Sequence, residues 1–478
     1  MGYQKLDLLI DGQFRQGSGG DAQDVINPAT EETLAAVPHA SASDLDEALA
    51  AAERGFKVWK AMTPLARQVI INKAADIIMA NIDEHARDLT MEMGKPLGEA
   101  KMELALGMDA LRWYGEEGKR AYGRIVPSRI PGARQLVTKE PVGVASAFVA
   151  WNFPCMNVVR KVGGALGAGC SLIIKPSEET PGTAVAIARA FQQAGLPDGV
   201  LNVVFGVPDT VSRHILGDPR VRKLSFTGSV PVGKHLQKLA AENLIRCTME
   251  LGGHSPVVIF DDADVDAAID VIGNNKFRNA GQVCISPTRF YVQENVYSKF
   301  VNGFAELASN LKVGNGLDEG VQMGPLVDQR RLPIMEDWVS DAKDHGASVA
   351  AGGERLGNKG YFYKPTVLKD VPEDARIMNE EPFGPVAPVA AFKSVDEVIE
   401  KANKLSFGLA SYVFTTDGKK ARAMSDAIDA GLVGVNHPGV STPETPFGGV
   451  NESGYGSEGG IEGLEAFLRT KFVTEIGV

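Results

Sequence analysis

Apolar residues recur at helical spacing among charged ones between residues 43 and 62 and again between 65 and 122, as in Ala48, Ala51, Ala52, Phe56 and Trp59. That spacing lines one face of an α-helix, so the first quarter of the chain is expected to be mainly helical. From residue 143 the texture changes. Short apolar runs at 145–150, 171–175, 201–205 and 223–226 end at glycine or proline, with a helical stretch at 183–194 among them. Unbroken apolar runs of strand length that alternate with helices describe buried parallel strands in strand–helix–strand units. A second alternation opens at Pro256-Val257-Val258-Ile259-Phe260 and continues through 265–272, 289–293 and 296–311.

The pattern predicts an α/β protein with two doubly wound units that divide near residues 254–257, and it places ligands at the carboxyl ends of the strands. Residues 1–122 and 143–254 are assigned to the first unit and 255–446 to the second. Residues 123–142 are polar and β-rich, and 466–478 include an alternating run at 469–476. These two stretches are expected to form a small β arm through which copies of the chain pair, as exposed strand edges invite.

Composition narrows the function classes. A chain of 478 residues is too long for one hydrophobic core, and no run approaches the roughly 18 consecutive apolar residues of a membrane span. The first residues show no basic patch followed by an apolar run, so a cytoplasmic location is expected. A net charge of −11 without basic, aromatic-laced runs argues against nucleic acid as a partner. The cysteines Cys155, Cys170, Cys247 and Cys284 lie far apart with no CxxC pair, so reduced thiols are expected, with no disulfide framework and no metal site.

Chemistry concentrates on Cys284, in the run Asn279-Ala280-Gly281-Gln282-Val283-Cys284. A lone cysteine between apolar neighbours is commonly a small buried hydrophobe. Here Gly281, Gln282 and Asn279 suit neither helix nor strand interior, which predicts a loop-to-helix junction with free backbone amides. The thiolate is the reactive form, and Glu250 in Met249-Glu250-Leu251-Gly252-Gly253 is the candidate base. Asn152, in Trp151-Asn152-Phe153-Pro154 after a strand, is a turn residue or an amide donor to an oxygen that gains negative charge. Lys175 and Glu178, just beyond another strand, are a solvated charged turn or ligands of ribose hydroxyls. Gly228-Ser229, at a strand-to-helix turn, suit a pyrophosphate met by the helix N-terminus.

These segments, with Glu381-Pro382-Phe383-Gly384-Pro385, occur in an order that resembles the NAD(P)-dependent aldehyde dehydrogenases over roughly residues 5–475. The resemblance implies a Rossmann-type cofactor domain, a catalytic domain and an oligomerisation arm. It implies Cys284 as nucleophile, Glu250 as base, and Asn152 with the Cys284 amide as oxyanion hole. It places Trp151, Lys175, Ser177, Glu178, Gly228, Ser229, Leu251, Glu381 and Phe383 around the dinucleotide, and a homodimer or homotetramer follows. Lys161 and Glu458 match proton-relay positions, although a surface salt bridge is the plainer role for each.

Arg160 and Arg278 flank the route to the thiol, and with Ser441 they resemble the carboxylate site of succinate-semialdehyde dehydrogenases. Arginine's rigid donor fork suits a carboxylate, while arginines in salt bridges are the alternative. Succinate semialdehyde is the expected substrate, with 2-oxoglutarate semialdehyde or a broad range of aldehydes as alternatives. NAD is the expected cofactor and NADP a possible one, since the Glu178 carboxylate accepts from a ribose hydroxyl but repels a phosphate. A non-enzymatic scaffold is disfavoured because no catalytic group is missing. A cysteine hydrolase needs a histidine base, for which His254 is the nearest candidate.

Overall fold

The computed structural model describes residues 2–477. The chain opens with four short strands, β1 (Leu8–Ile10), β2 (Gln13–Arg15), β3 (Ala22–Ile26) and β4 (Thr33–Pro38), ahead of the first helical spacing and in a quarter expected to be mainly helical. β1 is a buried run of only three residues, and the mostly exposed or half-exposed residues of β2 and β3 carry too little periodicity to announce them. Four helices follow: α1 (Ala42–Ala61), α2 (Pro64–Ala80), α3 (Ile82–Met93) and α4 (Leu97–Glu117). A capping box of Ser41 and Asp44 starts α1, and Thr63 caps α2 ahead of Pro64. The long apolar stretch from 65 to 122 breaks at Asn81 and at Gly94, whose φ of 93° ends α3.

After β5 (Arg124–Val126) and β6 (Ala133–Pro141), the chain enters the first doubly wound unit. It comprises β7 (Val144–Phe148), α5 (Met156–Ala168), β8 (Ser171–Lys175), α6 (Gly182–Ala194), β9 (Leu201–Val203), α7 (Pro208–Leu216), β10 (Val221–Thr227), α8 (Val230–Glu242) and β11 (Arg246–Glu250). The strand order is β2-β1-β9-β8-β7-β10-β11, with β7 to β11 parallel. The chain leaves β7 toward β8 and returns to β10 on the other side, so a crevice opens at the carboxyl ends of β7 and β10. Helix α5 is buried from Asn157 to its end and lies close on α4: a Cβ on Gly163 would stand 2.5 Å from the Tyr114 ring.

The second sheet starts with β12 (Ser255–Ile259), α9 (Val265–Phe277) and β13 (Pro287–Gln293). It adds β14 (Ser348–Ala351), β15 (Thr366–Lys369) and β16 (Val386–Phe392) on one side. After the short β17 (Phe407–Gly408), β18 (Ala410–Phe414) and β19 (Leu432–Val435) complete the order β14-β15-β16-β13-β12-β18-β19. One core runs from Leu6 to Leu251 and is rejoined by Leu464, Phe467 and Leu468, while the other runs from Val257 to Phe447. The chain crosses back in between. There β20 (Val450–Asn451) pairs with β17, and β21 (Gly454–Tyr455) pairs with β11.

The last strand, β22 (Leu468–Ile476), pairs antiparallel with the whole of β6, whose other edge holds β5. This arm leaves Tyr122, Ile125 and Phe472 exposed at 74%, 68% and 57%. Among the described residues, no helix is long and apolar enough to cross a membrane.

Candidate active site

Cys284 lies in a turn between the end of α9 and β13, so the thiol stands before a strand and not at the mouth of a helix. The cause is backbone geometry. Asn279, Ala280 and Gly281 all take left-handed φ values of 51°, 53° and 71°, which stops the helix and redirects the chain. A left-handed non-glycine residue costs on the order of 1 kcal/mol, so the turn persists only because its surroundings fix it. The Asn279 side chain donates to the carbonyls of Asn152 (3.0 Å) and Gln282 (3.1 Å), and a Cβ on Gly281 would lie 2.1 Å from the Gly384 carbonyl oxygen.

Asn152 follows β7 and is 4% exposed, which makes it a buried group and not a surface turn residue. Its Nδ2 donates to the Gln282 carbonyl (3.2 Å), and its Oδ1 accepts from Asn157 (3.1 Å). The amide is thus tied to the cysteine loop and keeps one further N–H.

Glu250 ends β11, and both of its carboxyl oxygens are buried without a hydrogen-bond partner. Burial, then the nearby charge of Glu458, push its carboxyl well above the usual range, against the pull of Lys161 and Arg160. The Cys284 thiol is pushed up to about 12, first by burial and then by Glu381, with Arg160 pulling it down. The resting sulfur is therefore a thiol that needs a base. Lys161 and Glu458 form an ion pair at 2.5 Å with side-chain exposures of 0% and 7%. This is no surface salt bridge, because the buried α5 carries Lys161 inside, where it also donates to Thr227.

A cavity of about 760 Å³ fills the crevice between the units. Trp151, Asn152, Lys175, Ser177, Glu178, Gly228, Ser229, Leu251, Glu381, Phe383, Glu250 and Cys284 all line it. It meets the carboxyl ends of the first sheet, as strand order dictates, but the amino ends of the second, since Cys284 precedes β13 and Glu381 precedes β16. Ser229 caps α8 in extended backbone without a capping hydrogen bond from its side chain, leaving hydroxyl and first-turn amides for an anion. Lys175 and Glu178 are 6% and 5% exposed and pair at 2.7 Å, so the solvated-turn alternative falls. Glu178 also accepts from the Gly206 amide (3.0 Å). Glu381 accepts from the Gly253 amide (3.2 Å), and burial pushes its carboxyl up to about 7. Phe383, at φ 41°, sets its ring edge-on to Trp151 at 5.5 Å. This donor and acceptor set, with an aromatic pair and a helix N-terminus, fits a dinucleotide.

A second cavity of about 300 Å³ meets the first at Cys284 and Glu250. Arg160, Arg278 and Ser441 line it. Among the described residues neither arginine has a salt-bridge partner. Arg160 lies 4.1 Å from the centroid of the Phe447 ring and donates to the Ser441 hydroxyl at 2.7 Å. Arg278 lies 5.4 Å from the Phe153 ring, and its Nε is buried without a partner. Two guanidinium groups are therefore held by aromatic faces, with donors left over.

Several lining residues escaped sequence reasoning. Met102 and Leu106 sit one turn apart on α4, apolar yet 59% and 42% exposed, and the sequence pattern did not set them apart from the buried apolar positions of that helix. Arg331, which donates to the carbonyls of Pro382 (2.7 Å) and Phe383 (3.0 Å), gave no signal, and neither did Lys95, Glu99 or Glu103.

The doubly wound first unit and its dinucleotide-shaped crevice beside a thiol define an NAD(P)-dependent oxidoreductase. Residues 14–473 match the aldehyde dehydrogenase family, and the chain belongs to that family. It is 45% identical over 471 residues, 98% of each chain, to the 4-(hydroxymethyl)benzenesulfonate dehydrogenase of Comamonas testosteroni. It is 41% identical over 469 residues, 98% of this chain and 97% of the other, to the NADP(+) succinate-semialdehyde dehydrogenase of Escherichia coli K12. The crystal structure of succinate-semialdehyde dehydrogenase from Burkholderia pseudomallei has a TM-score of 0.97 and 40% identity, covering 99% of this chain and 98% of that one. The protein is an aldehyde dehydrogenase that uses NAD(P).

Proposed function

We propose that the enzyme oxidises a semialdehyde with an anionic group at its far end, succinate semialdehyde foremost, to the corresponding dicarboxylic acid. The observation that carries this reading is the pair Arg160 and Arg278, stacked on Phe447 and Phe153 with donors left over in the cavity that reaches Cys284. Their unused fork donors suit a planar anion, and a substrate carboxylate supplies one.

Glu250 takes the proton from the Cys284 sulfur, and the thiolate adds to the aldehyde carbon to form a carbon–sulfur bond. The carbonyl oxygen gains negative charge and accepts hydrogen bonds from the Asn152 side chain and the Cys284 amide. When bound, the nicotinamide supplies the acceptor for the hydride that leaves this carbon. The oxygen re-forms its double bond, which leaves a thioester on Cys284. Once Glu250 has released the thiol's proton it takes a second from water, the resulting hydroxide adds to the thioester carbon, and the sulfur departs as thiolate while the acid forms. The Lys161–Glu458 pair adjoins Glu250 and passes its proton onward.

A panel of succinate semialdehyde, 2-oxoglutarate semialdehyde, an ω-sulfonated aldehyde and butanal tests the anion site. Replacing Arg160 or Arg278 with leucine is expected to raise KM about 100-fold for the anionic substrates, on the scale of a lost charged hydrogen bond, and to leave butanal within about threefold. Equal losses for all would sink the proposal. The sulfonate belongs in the panel because the Comamonas testosteroni relative is named for one, and the same arginines serve either anion. Among cofactors we propose NAD, since Glu178 would crowd a 2′-phosphate with negative charge. A higher kcat/KM with NADP would refute this use of Glu178, and a Glu178→Ser variant is expected to narrow the difference.

A further inference from the structure

Behind the oxyanion site lies a set of buried charges that the reaction itself does not consume. Lys95, in the link between α3 and α4, has a side chain only 1% exposed. Its ammonium donates to the Asn152 backbone carbonyl (3.0 Å) and to Glu103 (2.5 Å), and it lies 4.1 Å from the centroid of the Phe153 ring. Glu103 uses its other oxygen to accept the amides of Cys155 (2.8 Å) and Met156 (3.2 Å), where α5 begins. Every residue from 152 to 156 with a role in the site is thus held, directly or through Phe153, by this one ion pair. One turn earlier on α4, Glu99 accepts the amide of Asn279 at 3.0 Å, the first left-handed residue of the cysteine loop.

We propose that Lys95 and Glu103 are positioning residues that fix the Asn152 loop, while Glu99 ties the Cys284 loop to the same helix, so that α4 sets the distance between oxyanion donor and nucleophile. The arrangement joins loops from the two sheets to a single rigid element. Asn152 cannot follow a shift of the cysteine loop unless α4 moves with it. A buried ion pair is a poor way to gain stability, since apolar residues of similar size do as well or better, which favours a role in geometry for this one. The Asn152 carbonyl accepts both Lys95 and Asn279, so one peptide oxygen carries the join between the two loops.

The inference rests on the oxyanion role of Asn152 proposed above, and the experiment separates the two. Steady-state oxidation of succinate semialdehyde with NAD, and cofactor-free hydrolysis of p-nitrophenyl acetate, are measured for Asn152→Ala, Lys95→Met, Glu103→Gln and the Asn152→Ala/Lys95→Met double variant. Asn152→Ala is expected to lose about 100-fold in kcat, the scale of one oxyanion donor. Lys95→Met is expected to lose at least about tenfold in kcat for both reactions with KM within about threefold, and the double variant to be no worse than Asn152→Ala alone. Should Lys95→Met fail to fold, Glu103→Gln, which keeps the acceptor and drops the charge, carries the same expectation. Full kcat in a folded Lys95 or Glu103 variant, or losses that multiply in the double variant, would overturn the proposal. Undiminished kcat in Asn152→Ala would overturn the oxyanion role and this inference together.

Discussion

Glu250 shows how one side chain's surroundings decide its chemistry. A carboxyl with no hydrogen-bond partner, in a buried site beside Glu458, holds its proton at a pH where an exposed glutamate has lost it. The protonated form cannot accept from thiol or water, so kcat/KM is expected to fall as pH drops through this raised pKa. That acid limb lies above the usual carboxylate range. Glu250→Gln is expected to lose about 100-fold or more in rate and to lose the limb with it. A pH–rate profile checks both, and an unchanged limb in the variant would assign it elsewhere. Cys284 and Glu250 were singled out in the sequence by the short runs around them, whereas Asn152, read alone as well as a turn residue, drew its proposed role from the family resemblance. The charges that hold them did not stand out: Lys95 and Glu103 look like any solvated pair until α4 and α5 are packed together.

Elements were legible where their apolar pattern was long. The strand at 171–175 and the helix at 183–194 fall where spacing puts them, because burial on both faces demands continuous apolar runs, while the helices at 156–168, 208–216 and 230–242 went unmarked. The opening strands were not legible, and neither was the division of residues 65–122 into separate helices. Helix α6 depends on a cap from outside its own sequence. Glu92 on α3 accepts the first-turn amides of Gly182 (2.7 Å) and Thr183 (3.2 Å) and the Thr183 hydroxyl (2.9 Å). Two buried amides left without an acceptor cost about 1–3 kcal/mol each, so Glu92→Ala is expected to lower the thermal midpoint by about 2–6 °C without changing kcat. Burial raises the Glu92 carboxyl to about 7. Its contribution to folding is therefore fully present below the ordinary glutamate pKa and is lost as pH rises through 7. Thermal melts across that range check the sign.

For the whole molecule, the two alternations of strand and helix foretold two sheets, and the structure has them. Which end of each sheet faces the crevice was beyond the pattern, since the second contributes the amino ends of its strands. We propose that the arm of β5, β6 and β22 joins copies of the chain through its exposed apolar residues. Phe472→Asp is expected to reduce the mass seen by light scattering while leaving the rate per active site within about twofold, as a distant surface change should. A wild-type chain that runs as a monomer would end that idea.

The crossing from the second sheet back to the first has a consequence for anyone who would dissect the enzyme. Ser453 accepts from the Gly408 amide (3.0 Å), donates to the Gly252 carbonyl (2.8 Å) and, through its own carbonyl, takes the Leu251 amide (3.0 Å). A chain severed after residue 446 would lose that stitch together with Glu458, stranding the Lys161 ammonium and baring one side of β11. The two pieces of a chain cut there are not modules, because each holds a group the other needs.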